Sequence, residues 1–169
     1  MERQGHYPQG MNTKGFQRLP DIMGEDAADT AALREMAMSA RDYIASFNWC
    51  PPINAGYLAS GVGGIAAVFL FEFTSKIQDT DDRLWVIVGD LPSAYLVVEP
   101  GDSPPDALER YCSLMEDWIA AIRDSTPLDK AFPVAAEPTP ENAELLERRI
   151  AFLLAEIIPR MAQRPTRRE

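Results

Sequence analysis

Three carboxylates stand where an acidic side chain could do chemistry. Glu72 lies near the end of an otherwise apolar run, Asp90 sits in the turn Gly89-Asp90-Leu91-Pro92, and Glu99 closes the next apolar run. A carboxylate taken out of water without a partner has a raised pKa and can act as general acid or base. Two such groups suffice for glycoside hydrolysis or related acid–base work. If Glu72, Asp90 and Glu99 meet across a sheet, they are the catalytic candidates of a small hydrolase or ligand-binding enzyme. The competing reading is structural: Glu72 reaches solvent or pairs with Arg83 or Lys76, and Asp90 caps its own turn.

Other chemistry is thinly provided for. The single histidine, His6, lies in a polar N-terminal stretch, which argues against histidine catalysis and multi-histidine metal sites. Cys112 falls on an apolar helical stripe and reads as a small hydrophobe. Cys50, beside Pro51, has no histidine to activate it. Gly61-Val62-Gly63-Gly64 precedes a strand, whereas a phosphate cradle follows a strand and opens a helix. It reads as a glycine-rich strand entry. Asp79, Asp81 and Asp82 resemble the start of a calcium loop, but the central glycine and terminal glutamate are missing. A solvated acidic turn is expected there, with no metal and no cofactor. The contact patch is expected at Asn48, Trp49, Asn54 and Tyr57, if these share one loop surface.

These residues need elements to hold them. Residues 1–27 mix Gly, Pro, Gln and charges without a period and read as a flexible arm, with Phe16 or Ile22 as pins. Asp29 looks like an N-cap. Leu33, Met36, Ala37, Ala40, Tyr43, Ile44 and Phe47 then form a helical stripe that Pro51 and Pro52 end. Cys50 to Gly64 reads as a loop. Strands are predicted over Ile65 to Thr74, Leu84 to Val88 and Ala94 to Glu99, the first two apolar on both faces. Ser103 followed by Pro104 caps a helix with the stripe Leu108, Tyr111, Cys112, Met115, Trp118, Ile119 and Ile122. Phe132-Pro133-Val134 is a docking point in the link that follows. Thr139-Pro140 opens a last helix, apolar nearly all round from Ile150 to Ile158, which Pro159 should end or kink.

The order α-β-β-β-α-α predicts an α+β fold: a three-strand antiparallel meander with helices packed on it. One domain over residues 28–159 is expected, with a basic tail over 160–169. A sheet apolar on both faces needs cover on both, from its own helices or from a twin molecule, so a homodimer is expected.

The chain has 169 residues, 46% hydrophobic and 25% charged, with a formal net charge of −10. These are globular values, and the acidic excess disfavours nucleic-acid binding. No run approaches the roughly 20 apolar residues that span a bilayer. No secretory signal is visible, so a cytoplasmic protein with free thiols is expected.

The run Leu84 to Leu96, with Ala107 to Cys112 and Phe132 to Val134, resembles a bacterial family of small uncharacterised proteins. That resemblance covers roughly residues 28 to 159. It implies a bacterial, cytoplasmic protein and brings no catalytic residue with it. The leading expectation is a non-enzymatic interaction or accessory domain that self-associates, or an immunity-like binder of a basic protein partner. The alternative is the carboxylate hydrolase.

Overall fold

The computed structural model describes residues 12–77 and 82–163. His6, Asp79, Asp81 and the tail beyond residue 163 lie outside them. The fold is α+β. A five-stranded antiparallel sheet runs in sequence order: β1 (Gln17–Arg18), β2 (Ile53–Val62), β3 (Ala66–Phe73), β4 (Arg83–Gly89) and β5 (Leu91–Val97). The helices are α1 (Ala27–Ala45), α2 (Pro104–Arg123), α3 (Pro140–Phe152) and α4 (Ile158–Gln163).

Strands β3 and β4 occupy the first two predicted runs; β5 overlaps the third but starts at Leu91, inside the segment read as a turn, and stops at Val97, short of Glu99. Two strands were not foreseen. β2 fills much of the stretch read as a loop, because Ala, Gly and Ser give it weak β-propensity. Tertiary packing overrides that: a Cβ at Gly61 would lie 2.7 Å from the Cβ of Ala67, and one at Gly56 would lie 2.8 Å from Leu19 Cδ1. Glycine lets the strand pass this close to its neighbours. β1 arises within the predicted arm, whose described part is docked. Phe16 meets Trp85 with ring centroids 6.2 Å apart, and Ile22 is fully buried.

Both faces of the sheet are shielded by the chain's own helices. Ala67, Phe69, Phe71 and Phe73 of β3, with Leu84, Val86 and Val88 of β4, pack against Leu33, Met36, Ala37, Ala40 and Ile44 of α1. Val68, Leu70, Trp85, Ile87, Ala94 and Leu96 pack on the other side against α2, α3 and α4. Phe69, Phe71, Trp85 and Ile87 are each 0% exposed on the lone protomer. The sheet therefore needs no twin molecule to keep it dry.

The helix ends follow local chemistry. Asp26, three residues before the expected Asp29, caps α1 by accepting from the Asp29 amide. Asp29 instead accepts from the amides of Glu25 and Gly63, tying the helix start to the β2–β3 turn. Ser103 and Asp106 form a reciprocal capping box on α2, with Pro104 in the first turn. Thr139 caps α3.

Pro159 does not end the last helix. A π turn over Leu153–Ile157, closed by the Ile158 amide on the Leu153 carbonyl, carries the chain into α4. Proline lacks an N–H and its ring collides with the carbonyl four residues back, so a wider turn before it relieves the clash.

Candidate functional site

The three candidate carboxylates do not converge. Glu72 lies opposite Arg83 at the start of β4, and Asp90 follows the far end of that strand. Seven residues of extended chain put them roughly 20 Å apart. Glu99 lies at the Glu72 end but two strands away, exposed, with Arg110 3.6 Å from it. The carboxylate hydrolase thus loses the shared pocket on which it depended.

A different acidic residue holds the most organised polar cluster. Asp102 accepts from Trp85 Nε1 at 3.0 Å, from the Glu99 amide at 2.9 Å, and from both terminal nitrogens of Arg110 at 2.6 and 2.8 Å. Arg110 also donates to the Val97 carbonyl. Burial alone would raise the Asp102 pKa; the bonds from Arg110, Glu99 and Trp85 outweigh it and hold the carboxyl below its ordinary value. Both Asp102 carboxylate oxygens accept from Arg110, whose bond to Val97 fastens β5 to α2. No spacing motif marks it. The only trace in the sequence is an aspartate one residue before a helix cap.

The expected contact patch divides. Asn48 and Trp49 follow α1, and Trp49 stacks on Phe47 and meets Tyr95 edge-on, each at 5.1 Å. Phe132 reaches the same tyrosine at 6.2 Å, so the predicted docking point closes this aromatic group. Asn54 and Tyr57 lie on β2, and Tyr57 packs on the opposite face of the sheet from Trp49. The four do not form one surface.

The two thiols differ in exposure, and neither is activated. Cys112 is buried, and desolvation, with Glu116 and Glu109 adding to it, pushes its pKa up to about 12. Burial also raises Cys50. Among the described residues, no group of three His, Cys, Asp or Glu side chains could hold a metal ion. Nor is any helix among them long and apolar enough to cross a membrane.

The open ground lies on both sides of α3. Toward the sheet, a cleft of about 260 Å³ is bounded by the β2–β3 turn at Gly64 and Ile65, by Asp90 and Leu91, and by Arg148, Arg149 and Phe152. The Gly89 backbone packs so tightly on this turn that a Cβ would lie 2.2 Å from the Ile65 carbonyl oxygen. The Asp90 amide donates to that same oxygen. Asp90 is thereby held where Arg149 reaches it, both contacts at 3.3 Å.

On the other side, a groove of about 350 Å³ runs between α2 and α3. Ile119, Ala120, Ile150, Ala151 and Leu154 give it an apolar lining, and Glu116, Arg123, Asp124 and Glu147 provide its charges. Arg123 is ion-paired with Glu147 and holds that carboxyl below its ordinary value. Phe152 in the cleft, Leu154 in the groove and Leu145 on α3 are 45%, 42% and 49% exposed. The near-continuous apolar run from Ile150 to Ile158 serves two surfaces: Ile150, Leu153, Ile157 and Ile158 face the core, while Phe152 and Leu154 face water.

Comparison with protein-family models, with curated proteins and with solved structures finds no match to this chain.

Proposed function

We propose that this protein is a non-enzymatic interaction domain that presents the outer side of α3 to a protein partner. The observation that carries this reading is the exposure of three large apolar side chains around two hollows: Leu145 and Phe152 on α3, with Phe152 lining the cleft, and Leu154 in the π turn, lining the groove. Single exposed apolar residues are ordinary on a protein surface; three large ones within ten residues, two of them lining hollows, make a recognition surface. They are not spare core residues, since the sheet is already covered on both faces. The net charge of −10 supports a basic partner, as in an immunity-like binder. A cytoplasmic setting suits Cys50 and Cys112 as free thiols. Self-association would use the same apolar residues, because no sheet face calls for a second copy.

The test is affinity purification from a native extract of the source cells. Wild type is compared with a Leu145→Glu, Phe152→Glu, Leu154→Glu variant of matched melting temperature. A stoichiometric partner, or a second copy, is expected with wild type and lost with the variant. Equal recovery by both proteins, or nothing recovered by either, would contradict the proposal.

A further inference from the structure

We infer that the groove between α2 and α3 takes a basic amphipathic helix from the partner protein, an inference that rests on α3 being the binding face. The lining supplies the apolar half of the argument. Ile119 and Ile150 form a nearly buried floor, and Leu154 rises half-exposed beside them. Ala120 and Ala151 are exposed and small, so a partner backbone can lie close, as side-chain ridges of one helix lie in the grooves of another.

The charges supply the other half. Glu116, Asp124 and Glu147 edge the groove, and its single arginine, Arg123, is engaged by Glu147. Among the described residues no ion pair neutralises Glu116 or Asp124. A phosphate backbone or an anionic lipid surface is repelled by such a rim, and so is a second copy carrying ten net negative charges. Lysine or arginine on the flanks of an apolar stripe fits it.

Strand addition is hindered along part of each edge of the sheet. On β5, Pro92 has no N–H to donate, its carbonyl is taken by the Tyr111 hydroxyl at 2.6 Å, and the Val97 carbonyl is taken by Arg110. On β2, β1 and the turn Leu19–Asp21 pack alongside. A helix laid along two helices is the mode of recognition that the groove admits, with apolar anchors at i, i+4 and i+7 meeting the floor.

The experiment titrates a fluorescent synthetic peptide into the full chain and reads anisotropy. The peptide is an idealised helix with leucine on one face and lysine and arginine on its flanks. One control replaces the basic residues with glutamate, and the other scrambles the leucines off their common face. The basic helix is expected to bind at least about tenfold more tightly than either control, and to weaken as salt rises. Glu116→Lys with Asp124→Lys, and separately Ala151→Arg, should each weaken binding at least about tenfold, whereas Glu35→Gln on α1, across the sheet, should leave it unchanged. All these positions are exposed, so the variants should melt with wild type.

Amide shift changes in the wild-type protein should fall within residues 116–124 and 147–154. Absence of binding, equal binding of the scrambled peptide, indifference to both groove variants, or shift changes elsewhere would each overturn the inference. A native partner that is lost with the Leu145→Glu, Phe152→Glu, Leu154→Glu variant yet not displaced by the peptide would leave α3 as the binding face and remove this occupant from it.

Discussion

Asp102 shows what one aspartate does when it accepts four hydrogen bonds, three of them at Oδ2. Its side chain is 5% exposed and that of Arg110 is 29% exposed, so the pair is partly shielded from solvent screening. Replacing Asp102 with Asn should cost about 1.5–3 kcal/mol near neutral pH, the range for hydrogen bonds to charged groups. The folded-state pKa lies below the ordinary 3.8. The carboxylate therefore stabilises the fold fully above its unfolded pKa, and that contribution fades as pH falls through the folded value. Urea unfolding followed at decreasing pH should show the gap between wild type and Asp102→Asn closing below about pH 4. A gap that stayed constant would contradict the assignment. The two thiols make a second residue-scale prediction. Half-buried Cys50 should react with a thiol reagent in the native protein, and Cys112, 1% exposed, only after unfolding. Equal native rates for both would refute the placement of Cys112 in the core.

At the scale of the element, the helices were legible wherever their causes are local. Ser103-Pro104 and Thr139-Pro140 mark the starts of α2 and α3 within a few residues of sequence, and the α2 stripe repeats without interruption. Ser103→Ala should therefore cost about 1 kcal/mol in chemical denaturation. β2 was not legible, because what makes it a strand lies elsewhere: Ala67 beside Gly61, Leu19 and Phe71 beside Gly56. The π turn before Pro159 was hidden for a related reason. The sequence displays the proline, but the core contacts of Leu153, Ile157 and Ile158 decide that the helix widens and continues. The turn after β4 offers a sharper test. Gly89→Ala sets a Cβ against backbone atoms of Ile65 and Ala66, which cannot swing aside as a side-chain tip can. It should cost at least about 1–3 kcal/mol and loosen Asp90 from Arg149. A variant as stable as wild type would show that the two turns are not packed as described.

At the scale of the molecule, the doubly apolar character of β3 and β4 was readable from their residues, but the identity of the cover was not. Which helix lies on which face depends on strand order and register, and the five-strand order could not be read with two strands unseen. The same separation conceals the α3 surface: Arg149 meets Asp90 across 59 residues of sequence. Within the apolar run, only the fold separates Leu153 in the core from Leu154 in water. The central claim is that a single chain closes its own sheet, so that α3 remains for recognition. Amide hydrogen exchange of Ala66–Phe73 and Arg83–Gly89, measured at two protein concentrations about tenfold apart, tests it most directly. The account predicts slow exchange at both concentrations, with equal protection. Protection that collapses on dilution would mean that a second molecule supplies the cover, and would contradict it.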